Sequence, residues 1–183
     1  MPSARDQLEA LRAGHIDVRD DSDIAEATSG MISPSDINFA NWSATSSSDN
    51  IDGSRVVVSC GTVTALTSVN DPISTPSICF QYKSTGEQTI IFTAPRPAMS
   101  DTYLANIGDY SQYSKVRIRF EYPNGKSYVR GWYALVSNSR PWKVGLQGGD
   151  AYEFLKLFKN TSHIIIGVQI EDGFEWQGSI HNN

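Results

Sequence analysis

The chain has 183 residues, of which 39% are hydrophobic and 19% charged, a balance that excludes collagen, coiled coil and wholesale disorder. At this length a single domain buries roughly 70% of its unfolded surface, so it needs no metal or disulfide framework to hold a core. The formal charge of -5 is uneven. Residues Met1 to Asp36 contain three basic side chains (Arg5, Arg12, Arg19) and eight acidic ones (Asp6, Glu9, Asp17, Asp20, Asp21, Asp23, Glu26, Asp36), so they carry all of it. The remainder is neutral. This division predicts an acidic N-terminal arm over 1–36 and a folded domain over 37–183. Neither part offers the positive field that duplex nucleic acid requires, so no nucleic-acid partner is expected.

The arm begins with Ser3-Ala4-Arg5-Asp6, a pattern resembling a capping box, and runs as a short helix to Gly14. Leu8 and Leu11 are its apolar anchors, too few for the helix to stand alone. They are candidate partner-contact residues, docking on another chain or on the domain. Ser33-Pro34-Ser35-Asp36 then reads as a linker.

From Trp42 onward, short runs rich in Val, Ile, Thr, Tyr and Phe alternate with turn residues. The expected strands are Trp42 to Ser46, Arg55 to Thr67, Ser77 to Lys83, Gln88 to Thr93, Lys115 to Tyr122, Lys126 to Val136, His163 to Ile170 and Phe174 to Ile180. The expected fold is all-β, a sandwich of about eight antiparallel strands with one packed helix and an N-terminal helical arm. Gly61 marks a bulge or bend in the long second run. Pro123-Asn124-Gly125 allows two hairpin registers, and the fixed φ of Pro123 favours a type I turn with Gly125 as a bulge. Asp172-Gly173 reads as a two-residue type I′ turn.

Asp150 is the expected cap of the one helix in the domain. Ala151, Phe154, Leu155 and Phe158 form its apolar stripe, packing on a sheet or plugging one end of the sandwich.

Candidate chemistry is sparse. Two cysteines, Cys60 and Cys79, exclude a disulfide framework and a four-cysteine zinc site. Alternation places Cys60 with Val56 and Val58, and Cys79 away from Ile78 and Phe80, which predicts two reduced thiols. His15, His163 and His181 lack ligand spacing, so neither a metal nor a cofactor is expected. No Gly-x-Ser-x-Gly elbow or phosphate loop is present. The longest apolar run is far short of the roughly 18 residues of a membrane span. Met1 to Asp6 open into polar sequence without a signal core, which predicts a cytoplasmic or virion chain, or a periplasmic one from which a signal was removed.

The surface residues are more informative. In Lys115-Val116-Arg117-Ile118-Arg119-Phe120, alternation puts Lys115, Arg117 and Arg119 on one face and the apolar residues on the core face. Arg130 and Trp132 lie on the partner strand, their face depending on the turn register. The basic face is either a solvated surface or a contact for an anion or partner protein. Tyr103, Tyr110 and Tyr113, in the polar connection from Ala94 to Ser114, are candidate recognition aromatics.

The order of landmarks carries a resemblance. Trp42-Ser43 precedes Asp49, Asp52 and the Val56-Val57-Val58 strand; Pro76-Ser77-Ile78-Cys79 opens another. Val116 to Phe120 leads to a return strand bearing Trp132, followed by Phe154-Leu155-Lys156-Leu157, an Ile-rich strand and a terminal hairpin. From Trp42 to Ile180 this resembles the β-sandwich of the VasI/TagO group of type VI secretion accessory proteins. The resemblance implies a non-enzymatic, envelope-associated interaction domain without a cofactor. The group is similar in having an exported or lipid-anchored N-terminus; this sequence differs there, with neither a signal core nor a lipid-attachment cysteine.

Three functions are therefore expected in order: a bacterial or phage protein-binding module using its sandwich surface and acidic arm, a structural virion or assembly protein that self-associates by arm exchange, and a hydrolase using Cys60 or Cys79.

Overall fold

The computed structural model describes residues 42–99, 113–137, 142–171 and 173–181. The expected arm helix, and Leu8 and Leu11 with it, lies outside the described residues. Among the described residues, ten strands and one helix follow in chain order: β1 (Trp42–Ser48), β2 (Arg55–Thr62), β3 (Thr64–Ala65), β4 (Ser77–Lys83), β5 (Gln88–Thr93), β6 (Tyr113–Glu121), β7 (Ser127–Val136), β8 (Lys143–Gln147), α1 (Gly148–Phe158), β9 (His163–Gln169) and β10 (Glu175–His181).

The strands pair antiparallel in the order β1-β2-β4-β5-β8-β7-β6-β9-β10-β3. β3 continues directly from β2 past Val63, yet stands at the far end of that order. The sheet must therefore fold over on itself. The corner lies where β8 meets β7 through only Leu135↔Gly145 and Val136↔Val144. On one side lies the layer β1-β2-β4-β5-β8 and on the other β7-β6-β9-β10-β3, the two halves of a sandwich.

Alternation explains the core. Ile78, Phe80, Ile90, Phe92, Val144 and Leu146 face inward from the first layer. Val116, Ile118, Phe120, Trp132, Ile164, Ile166, Val168 and Trp176 meet them from the second. Val63 is buried where the chain crosses between layers, so the bend comes two residues beyond Gly61, which pairs regularly with Ile78. Gly178 makes room for this crossing: a Cβ there would lie 2.5 Å from Val63 Cγ1 and 2.6 Å from the Trp176 ring.

α1 plugs one end of the sandwich. Its Phe154 ring stands 5.8 Å from Phe92 of the first layer, 5.8 Å from Phe120 and 6.1 Å from Trp132 of the second. Burying one such ring contributes roughly 1.5–3 kcal/mol. The helix begins earlier than expected, with Gln147 at the N-cap and no side-chain capping bond. Asp150 instead lies in the first turn, where its charge complements the helix dipole.

Three hairpins share one turn. The N–H groups of Gly86, Gly125 and Gly173 donate to the carbonyls of Lys83, Tyr122 and Ile170, and each glycine has positive φ (98°, 82° and 80°). Lys83, Tyr122 and Ile170 donate in turn to Glu87, Lys126 and Phe174. This is a type I turn closed by a glycine bulge. It confirms the expected Pro123 register and corrects the two-residue reading of Asp172-Gly173, because Gln169 pairs with Glu175 across a loop one residue longer.

Candidate interaction surfaces

The outer face of β7-β6-β9-β10 carries the charged residues read from β6. Pairing places Gly131, Arg117, Gly167 and Gln177 in one row and Val129, Arg119, Ile165 and Ser179 in the next. Arg117 is held by Glu175 from β10, its Nε donating to Oε2 at 3.0 Å and its Nη2 to Oε1 at 2.6 Å. Gln177 Nε2 donates to the same carboxylate at 2.7 Å. The carboxylate rests on the bare backbone of Gly167, where a Cβ would lie 2.5 Å from Glu175 Cδ.

These side chains, with Arg119, Val129 and Ile165, line a shallow cavity of about 250 Å³. Burial pushes the Glu175 carboxyl up, but the Arg117 and Gln177 hydrogen bonds and the charges of Arg117 and Lys115 outweigh it and hold the pKa below the usual glutamate value. The Arg117 guanidinium is correspondingly shifted up by the Glu175 hydrogen bond.

The face continues toward the α1 end of the molecule. Arg119 Nε lies 3.1 Å from Glu121 Oε1, and Glu121 Oε2 lies 2.8 Å from His163 Nδ1. The His163 bond, ahead of the charges of His163 and Arg119, lowers the Glu121 pKa against the upward push of burial. The His163 and His181 rings stack at 4.3 Å.

Lys115, Arg117 and Arg119 thus share the outer face as expected, and Tyr113 opens β6 half-buried. Arg130 does not join them. The turn register puts it opposite Ile118 on the inner face, 7% exposed, with Nε donating to Glu153 Oε1 of α1 at 2.8 Å and its guanidinium 5.5 Å from the Trp132 ring centre. Arg130 ties the helix to the sheet. Tyr103 and Tyr110 lie outside the described residues.

The cysteine expectation is overturned. Cys60 and Cys79 are directly opposed on β2 and β4 and form a disulfide with Cα atoms 4.1 Å apart. The physical reason is the phase of β2: Ser59 and Gly61 face the core, while Val56, Val58 and Cys60 are only partly buried and share the outer face with Cys79. A bridged sulfur carries no thiolate, so neither cysteine in this state supplies the nucleophile of a cysteine hydrolase.

The end of the sandwich away from α1 carries the described connections 66–76 and 94–99. Arg96 fastens two of them there: Nη1 donates to the Asp71 carbonyl at 2.9 Å and Nε to Glu171 Oε1 at 3.0 Å. Leu66, Ile73, Met99 and Phe174 are between 38% and 56% exposed. All four lie on connections at this end, where loop side chains are available for recognition.

No protein-family model, curated protein or solved structure matches the chain. Among the described residues, no group of three or more His, Cys, Asp or Glu side chains gathers as a metal site, and no helix is long and apolar enough to cross a membrane.

Proposed function

We propose that this chain is a non-enzymatic protein-recognition module of bacterial or phage origin, engaging its partner through the outer face of β6-β9-β10 and through the acidic arm. The observation that carries the reading is the Arg117–Glu175–Gln177 group over Gly167. A polar assembly drawn from two strands that are not neighbours, set above a glycine, holds its side chains in one arrangement on the outer face. Glu175 already takes the Nε and Nη2 donors of Arg117, so the group serves as a fixed polar platform, and the basic side chains of Lys115 and Arg119 beside it on the same face are the ones that suit carboxylate-bearing protein surfaces. The disulfide supports the envelope setting that the VasI/TagO resemblance implies, since such bridges persist in oxidising compartments.

The test is co-purification from native lysate with the full chain, an Arg117→Glu/Arg119→Glu variant and a variant lacking residues 1–36. A partner retained by the parent and lost from both variants supports the reading. A partner profile unchanged in both would sink it.

A second reading, a self-associating structural protein, is favoured by β1. Its sequence from Trp42 to Ser48 contains no charged residue and no proline, and among the described residues nothing pairs with its outer side. Natural edge strands are usually blunted by such residues. Light scattering on the eluting protein separates the two readings: a symmetric oligomer favours assembly, a monomer the recognition module.

A further inference from the structure

The opposite layer carries a second polar feature, independent of the Arg117 face. Gln81, Thr89 and Gln147 are successive partners across β4, β5 and β8, so their side chains form a line on the outer face at the spacing of neighbouring strands, about 4.8 Å. They floor a trough of about 800 Å³, walled by the β4–β5 hairpin and by the start of α1 with Tyr152. That volume lies within the roughly 300–1,000 Å³ of small-molecule sites.

We infer that this trough binds a neutral saccharide. Three properties of the lining select that class. First, no aliphatic side chain borders it, which removes the driving force for an apolar ligand. Second, its charges are internally balanced: Lys83 and Glu87 are the charged residues of the lining, and Lys83 Nζ lies 3.7 Å from Glu87 and 3.4 Å from Asp49 behind it, so an anion meets a lysine already paired with carboxylates. Third, apart from Lys83 and Glu87 the side chains that line it are amides and hydroxyls (Gln81, Thr85, Gln88, Thr89, Gln147, Tyr152), each both donor and acceptor, which match sugar hydroxyls that are themselves both.

The geometry adds a platform and fixed donors. Tyr152 is 41% exposed; Lys156 Nζ covers one face of its ring at 4.5 Å from the centre, and the opposite face is the one that stacks on the C–H surface of a pyranose. Gly148 and Gly149 bring bare backbone to the trough at the helix start, where N–H groups lack intrahelical acceptors.

The full chain should be titrated with chitotriose, cellotriose and maltotriose by calorimetry and amide NMR, with sulfate as the anion probe. At least one trisaccharide is expected to bind with a Kd of about 1 mM or below, shifting resonances at Gln81, Thr89, Gln147 and Tyr152. Tyr152→Ala and Thr89→Val are each expected to weaken it about tenfold. Thr89→Val retains a strand-favouring β-branched side chain, so it tests the floor even if the helix variant is unstable. No saturable binding of any trisaccharide up to about 10 mM, binding that survives both trough variants, or saturable binding of sulfate alone would overturn the assignment.

Discussion

Arg117 and Glu175 meet through two hydrogen bonds directly above Gly167, a residue of the strand that separates theirs. The pair is diagonal: Arg117 stands opposite Gly167, while Glu175 stands opposite Gln169 one step further along β9. Only a glycine at position 167 leaves space for the carboxylate to lean across.

Gly167 and Gly178 should therefore respond differently to alanine. At Gly167 the obstructing atoms belong to the end of a flexible glutamate, so Gly167→Ala is expected to change stability by no more than about 1 kcal/mol. Carboxyl titration by NMR should nevertheless show Glu175 moving toward its ordinary value as the Arg117 bonds break. At Gly178 the obstruction is Val63 and the Trp176 ring inside the core, and Gly178→Ala should cost about 1–3 kcal/mol by overpacking. Urea unfolding of the two variants checks the contrast, and equal losses would contradict it.

Arg130 and Glu153 give a second test, because their side chains are 8% and 36% exposed. Removing the carboxylate leaves a guanidinium in the interior without that counter-charge, an outcome that costs about 3–5 kcal/mol when both partners are buried. Glu153 is partly solvated, so Glu153→Ala is expected to cost about 2 kcal/mol. Arg130→Met combined with Glu153→Leu should recover most of that loss. A double variant weaker than Glu153→Ala alone would show that the ion pair, rather than apolar filling, is what this position requires.

The limits of reading this fold from sequence follow from the same residues. β6 is legible because Val116, Ile118 and Phe120 alternate strictly with basic residues, so its two faces have only one assignment. β2 is not, since Val56-Val57-Val58 has no period to reveal which parity faces inward, and the error in phase separates two cysteines that are in fact opposed. Arg130 depends on a single turn, whose register sets the face of every residue on β7. Glu175 and Gln177 alternate visibly with Trp176, but their place beside Arg117 requires knowing that β9 lies between β6 and β10. β3 has two residues, too few for any pattern.

The Cys60–Cys79 bridge spans 19 positions in sequence and encloses the crossing from β2 to β3. Closing a loop of this size stabilises by about 3 kcal/mol in the chain-entropy account. Thiol counting on the denatured, unreduced protein should find no free cysteine. Reduction, or Cys60→Ala with Cys79→Ala, should lower the unfolding free energy by about that amount, seen as a fall in Tm. A reduced protein with an unchanged Tm would mean that β-ladder pairing alone holds the crossing.

Acid should weaken the charged face by a route that one residue isolates. The Glu175 pKa in the folded chain lies below its reference value of 4.5, so the unfolded chain binds a proton at higher pH than the folded one. The stabilisation from this group is then fully present above about pH 4.5 and is lost as pH falls through the folded value. Glu175→Gln cannot take up this proton. The stability difference between parent and variant should hence be constant at neutral pH and shrink progressively below about pH 4.5. Glu121, also shifted down, loses its contribution in the same direction, so the variant keeps an acid limb of its own. Urea titrations of both proteins across this range decide the matter, and parallel curves down to the lowest pH would mean that Glu175 is not linked to folding.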